Sequence, residues 1–160
     1  MWLYTITDWL GLIPVFFILA FGILGLNQWI KRRHIGKVDF SILVLGGFYI
    51  VVLAAYLLFE EIVVNYRPVL IDGYLEASYP SSTTMLTLCV MPTAMMQLKE
   101  RIKNATVKRV IAVIIAIFTA FMVIGRLISG VHWFTDIIGG VLLSGSLVMG
   151  YRYICGFGEK

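Results

Sequence analysis

Charge is what this chain has least of. Asp, Glu, Lys and Arg make up 14% of its 160 residues, against 60% hydrophobic residues and a mean hydropathy of +0.92. That balance excludes an ordinary water-soluble domain and points to an integral membrane protein. Cysteine is nearly lacking. Cys89 and Cys155 stand alone in apolar surroundings, in no spacing that suits a disulfide or a metal, and read as small hydrophobic residues. No basic residue lies in Met1 to Asp8, and no small-residue cleavage site follows the first apolar run, so no cleavable signal peptide is expected. Internal repeats are lacking too, which argues against the two related halves of a transporter.

What is there is a series of long apolar runs. A helix needs roughly 20 residues to cross a hydrocarbon core of about 30 Å. Leu10 to Ile30, Phe40 to Val64, Val107 to Leu127 and His132 to Ile154 meet that length. A fifth run, Ser81 to Leu98, is shorter and contains Pro92, which suits a kinked or partly protein-buried helix. The expected fold is all-α: a polytopic membrane helical bundle of about five transmembrane helices, one domain over residues 1–160. Trp2 to Trp9 reads as a short interfacial segment ahead of it.

Basic residues then set the orientation. Lys31, Arg32, Arg33 and Lys37 follow the first span; Lys99, Arg101, Lys103, Lys108 and Arg109 follow the third; Arg152 and Lys160 follow the fifth. With five spans all three groups share one side, which the positive-inside rule makes cytoplasmic. They need no nucleic acid to explain them; they are topology signals facing anionic membrane lipids. Of the thirteen basic residues, Arg67 and Arg126 are left over, both at the outer ends of spans. An arginine there without a topological role is a functional candidate.

The outer side gathers further polar residues. Glu60 and Glu61 close the second span about two turns before Arg67; they either solvate the interface or orient Arg67 and line a polar cavity. Pro68 ends that helix. The loop 69–80 carries the turn signal Asp72-Gly73 and is either a plain connector or a cover over a pocket. Pro80-Ser81-Ser82-Thr83-Thr84 opens the third span with four successive hydroxyls. A helix cap explains one of them. A phosphate site explains all four, because the first N–H groups and the dipole of a helix bind anions.

The remaining piece is Gly125-Arg126-Leu127-Ile128-Ser129-Gly130-Val131-His132-Trp133-Phe134-Thr135-Asp136, a Gly-bounded loop between two apolar runs. If a helix starts near His132, then His132 and Asp136 stand one turn apart on one face. A carboxylate there fixes the imidazole tautomer and aims a nucleophile or base. The plainer reading is a structural histidine beside an unrelated helix-start aspartate. Gly139, Gly140, Ser144, Gly145 and Gly150 follow and suit tight helix packing.

Together, Arg67-Pro68, Pro80-Ser81-Ser82-Thr83 and Arg126 with His132 and Asp136 resemble the type 2 phosphatidic acid phosphatase superfamily of membrane lipid phosphatases. That signature runs Lys, six residues, Arg-Pro; Pro-Ser-Gly-His; then Ser-Arg, five residues, His, three residues, Asp. The resemblance spans Phe59 to Asp136. It implies that Arg67 and Arg126 clamp a phosphate, assisted by Ser81 and the backbone at Ser82. It implies that His132 attacks phosphorus, forming a phospho-histidine, and that Asp136 orients His132. No metal or other cofactor is implied, since two arginine forks and a helix start supply the positive field.

Four positions depart from the signature. Glu60 stands for Lys, Ser82 for Gly, Gly125 for Ser and Thr83 for the His that protonates the leaving oxygen. Loss of that general acid typically costs about 10² to 10⁴ in rate. The chain is then an inactivated variant, a silent natural relative, or an enzyme whose leaving group needs little help; the intact remainder favours the first. The expected function is hydrolysis of a lipid phosphate or an isoprenoid, undecaprenyl-type, diphosphate, with phosphatidic acid and phosphatidylglycerol phosphate open as substrates. The alternative is a catalytically silent lipid-phosphate-binding membrane protein. Tyr66, beside Arg67, is a possible supporting residue together with Glu60. A bacterial plasma membrane, with the site facing outward, is the expected location.

Overall fold

A computed structural model describes residues 2–157. Lys160, which the charge count places on the basic side, lies outside the described residues. The helices run α1 Trp2–Leu10, α2 Leu12–Arg32, α3 Phe40–Glu61, α4 Ser82–Arg101, α5 Ala105–Ile128 and α6 Phe134–Phe157, with a single 3-10 turn at Ile35–Lys37. The expected interfacial segment is α1 and the first expected span is α2; the two meet at Gly11. The fourth and fifth boundaries move by a few residues: α5 begins at Ala105 because Asn104 caps it, its side chain accepting from Thr106 and Val107 N–H. Helix α6 begins after His132 rather than at it.

Among the described residues, four segments are long and apolar enough to cross a membrane: Trp2–Arg32, Phe40–Glu61, Ala105–Ile128 and Phe134–Phe157. Their outer faces expose large apolar side chains such as Phe16, Ile50, Ile117 and Leu142. Lipid tails are as apolar as these side chains, so such a surface costs nothing in a bilayer and would be untenable in water. Helix α4 is different. It packs against α2, α3, α5 and α6 at the centre of the bundle. It buries Thr84, Thr87, Thr93 and Gln97 along with Met85, Cys89, Val90 and Met91. Its hydroxyls and its Pro92 are tolerable because protein, not lipid, surrounds them.

The chain alternates direction, so Lys31, Arg32, Lys99, Arg101 and Lys108 gather at one end. Arg152 lies inside the last turns of α6 rather than after it. Asp39, the residue before α3, ties this end together. It accepts from Gln28 at 2.7 Å, pairs with Arg32 at 2.9 Å and lies 3.8 Å from Arg101. The hydrogen bond from Arg32 is the main reason its carboxyl is held below the usual range.

At the opposite end, α6 comes close to the α4 entrance. A side chain at Gly139 would run into the Tyr79 ring, and one at Gly140 would sit 3.3 Å from Thr84. Small residues at these two positions permit the approach. Gly145 and Gly150 have open space around them and play no such part.

Candidate active site

Two loops, 62–81 and 129–133, and the ends of α1, α4, α5 and α6 build the site. The segment 62–81 is the least helix-like part of the chain, yet it is not a plain connector. Asp72 and Gly73 both have positive φ, as a two-residue hairpin turn requires. Single bridges link Ile71 to Tyr74 and Tyr66 to Ala77. Arg67 N donates to Glu76 O at 3.1 Å and Ser78 N to Asn65 O at 2.9 Å. The hairpin is pinned to the start of α6 by the Trp133 indole, which donates to Tyr66 O at 2.9 Å. It delivers two residues to the site, Arg67 and Ser78.

Arg67 pairs through Nε with Glu76 at 3.1 Å. Neither Glu60 nor Glu61 is its partner; Glu60 instead borders a small polar pocket with Ser78, Ser82 and His132. Tyr66 contributes its carbonyl only, and its side chain is exposed. Arg126, at the end of α5, is 2% exposed. Its Nη2 donates to Asp8 at 2.7 Å and to Thr83 Oγ1 at 2.5 Å. The ring of Tyr4 lies 5.0 Å from the Arg126 guanidinium and 5.9 Å from that of Arg67, both within cation–π range.

Helix α4 starts between these arginines. Ser81 is its N-cap residue, but its hydroxyl makes no capping bond. Its backbone N–H donates to Asp136 O at 3.1 Å, which fixes the start of α4 on α6. The N–H groups of Ser82, Thr83 and Thr84 head the helix and have no acceptor within it. Among the buried donor atoms without a hydrogen-bond partner in the protein are Arg67 Nη1, Arg126 Nε, Arg126 Nη1 and Ser81 Oγ. Burying such donors without an acceptor is costly. An oxyanion is one kind of group that supplies acceptors to such donors.

His132 completes the group. It is buried, and its Nδ1 lies 3.1 Å from Ser78 O. Asp136 Oδ2 is 3.7 Å from the same nitrogen, too far for a hydrogen bond. Asp136, with no exposed surface, spends Oδ2 on Trp133 N at 2.8 Å and on the Ser78 hydroxyl. The expected direct aspartate–histidine bond is therefore replaced by a backbone one. Asp136 fixes Ser78 and the start of α6, and Ser78 fixes the imidazole. A carbonyl accepts only from N–H, so Nδ1 carries the proton and Nε2 has a free lone pair.

Burial, then the charges of Arg67 and Arg126, push the His132 pKa down from 6.5 to about 4. Asp136 and the Ser78 carbonyl oppose that shift. The imidazole is neutral near pH 7, as a nucleophile must be.

One more feature adjoins the site. An apolar groove of about 990 Å³ runs between α2 and α3 over Met85 and Leu86 of α4. It begins at Asp8, Ser82 and Thr83 and reaches Trp29, Ile35 and Val38 near the basic end. Gly22, Gly46 and Gly47 border it and have open space in place of side chains. Gly25, by contrast, is a packing glycine, set 2.9 Å from Ile42 as a side chain would see it.

Arg67, Ser81, Ser82, Thr83, Arg126, His132 and Asp136 are thus gathered at one end of the bundle, as their pattern implied. Ser78, Asp8, Tyr4 and Glu76 join them without any signal in the sequence. A family model described as the PAP2 superfamily matches residues 60–157. A solved structure described as the first transmembrane PAP2 type phosphatidylglycerolphosphate phosphatase from Bacillus subtilis has the same fold. It aligns with a TM-score of 0.64 and 22% identity over 99% of this chain and 77% of its own. No curated protein matches the chain.

Proposed function

The chain belongs to the PAP2 superfamily, and from that premise we propose that it hydrolyses the phosphate of a membrane lipid through a phospho-histidine at His132. The observation that carries this is the set of unpartnered donors on Arg67, Arg126 and Ser81, grouped with a neutral His132 whose Nδ1 is already engaged. The lipid phosphate or isoprenoid diphosphate lays its phosphoryl group on the start of α4. Arg126 and Arg67 donate to its oxygens through side-chain nitrogens that have no protein partner, where charge-assisted bonds are strongest. His132 Nε2 attacks phosphorus in line, the bond from phosphorus to the bridging oxygen breaks, and the lipid leaves as a monophosphate from a diphosphate, or as an alkoxide that takes its proton from water. Asp136 lies 3.7 Å from the ring that becomes cationic and stabilises it by field rather than by a hydrogen bond. Water then attacks the phospho-histidine, giving inorganic phosphate and restoring the imidazole.

The apolar groove gives the lipid chain its place. It meets the phosphate donors at Ser82 and Thr83 and is bordered by nonpolar side chains along α2 and α3. Helix α2 alone has 21 residues, so the groove follows roughly 30 Å of helix at 1.5 Å per residue. By the positive-inside rule the basic end lies in the cytoplasm and the site faces outward, in a bacterial plasma membrane. A second reading rests on Thr83. Its hydroxyl accepts from Arg126 and offers no acid strong enough to protonate an alkoxide. A chain that binds lipid phosphates without turning them over has the same donors.

Phosphate release from phosphatidic acid, phosphatidylglycerol phosphate and an isoprenoid diphosphate separates the two. The proposal expects release from at least one, abolished in His132→Ala. Vanadate binding without release from any substrate favours the second reading.

A further inference from the structure

Helix α1 is short and, by sequence, an interfacial segment. Its outer face carries Trp2, Ile6 and Trp9, all exposed. Its inner face is seated on the end of α5. Thr7 is fully buried, and its hydroxyl donates to Leu3 and Tyr4 carbonyls at 2.9 and 3.0 Å. A Cβ at Gly125 would fall 2.8 Å from Thr7 Cγ2. Helix α1 reaches this position because residue 125 has no side chain. The seat puts Asp8, 118 residues away in sequence, and Tyr4 beside Arg126.

We propose that Asp8 is a positioning residue of the phosphate site, which with Thr83 holds Arg126 Nη2 and so fixes the guanidinium whose remaining donors serve the phosphate. This rests on the reading that Arg126 receives phosphate. A guanidinium is planar, with its donors in a fixed fork. Two acceptors on one terminal nitrogen, at 2.7 and 2.5 Å, set both the plane and its rotation. Tyr4 covers one face. The donors left over are Nε and Nη1, on different edges of the plane, and both lack a protein partner. Helix α1 is therefore part of the catalytic centre and not only a membrane anchor.

Charge alone predicts the reverse of this proposal. Asp8 is a carboxylate near an anion site, and removing it makes the site more positive. The Asp8 side chain is 58% exposed, so solvent screens much of that repulsion. Orientation is not screened; a misplacement of about 1 Å in a positioning group costs up to about 10²-fold.

The test is vanadate affinity of the full chain in detergent micelles, by calorimetry, with thermal stability measured alongside. Asp8→Ala should weaken vanadate about 10- to 100-fold, and Asp8→Asn, which keeps an acceptor oxygen, should stay within about 3-fold of wild type. Gly125→Val, which lifts α1 from α5, should weaken binding as Asp8→Ala does. The double variant should be no worse than either alone, because both act through one route. Vanadate bound as tightly or more tightly by both Asp8 variants overturns the proposal, as does a lowered melting temperature with unchanged affinity. A wild-type chain that leaves vanadate unbound overturns the phosphate-site reading itself, and the proposal with it.

Discussion

Replacing Arg126 by Lys keeps the charge and removes the fork. The structure sets the size of the effect. Arg126 keeps two nitrogens free of protein partners, Nε and Nη1. A lysine ammonium reaching the same place offers one. A hydrogen bond to a charged group is worth about 1.5–3 kcal/mol. Losing one of two therefore weakens an oxyanion by about 10- to 150-fold at about 1.4 kcal/mol per decade. Arg126→Ala loses both, about 3–6 kcal/mol, or about 10² to 10⁴ in affinity. The partners left behind change this little. Asp8 is largely exposed and is resolvated by water, and Thr83 gives up one hydrogen bond. The assay is vanadate or tungstate affinity, with kcat/KM on a lipid phosphate as a second readout. Wild-type affinity in Arg126→Lys would show that charge, not the fork, holds the anion. Unchanged affinity in Arg126→Ala would place the anion elsewhere and refute the clamp.

Thr83→His should raise turnover of alkyl phosphate monoesters by about 10² to 10⁴, and of diphosphates by less. An alkoxide needs a proton to leave, whereas a departing phosphate, with a second pKa of about 6, does not. Equal gains on both substrates would mean that Thr83 limits pocket shape instead. The His132 titration is directly measurable, since His34 is the one other histidine and His34→Gln leaves a single imidazole signal. Burial first, then the two arginines, place its midpoint at about 4, so the ring stays neutral from about pH 5 upward and gains its proton only in acid. Arg67→Gln removes one repulsive charge and should move the midpoint up. A midpoint at or above the ordinary 6.5 in the intact chain would contradict the buried site.

The bundle was legible because membrane helices announce themselves by length and hydropathy. Helix α3 begins at Phe40 in both readings, and Ser81 sits at the expected start of α4. Arg67 and Arg126 stood out because no topological role was left for them. The parts that were hidden are long-range pairings. Ser78 reaches His132 only after the Asp72-Gly73 turn folds the loop back on itself. Glu76, not the nearer Glu60, partners Arg67 because the hairpin places the two opposite each other. Asp8 meets Arg126 through the close seat of Thr7 on Gly125, which no periodicity in either helix encodes. The spacing of His132 and Asp136 suggested a direct bond on one helix face. Helix α6 starts two residues too late for that, and the Ser78 carbonyl accepts the hydrogen bond from Nδ1 instead.

The central claim is that His132 carries the phosphoryl group. Rapid quenching of the chain with a phosphate-labelled lipid substrate, followed by peptide mapping, tests it directly. The account predicts an acid-labile, alkali-stable phosphate on the peptide containing His132, lost in His132→Ala and retained, at lower yield, in Arg126→Lys. Phosphate released at an undiminished rate by His132→Ala, or label found on a serine or threonine instead, would contradict it.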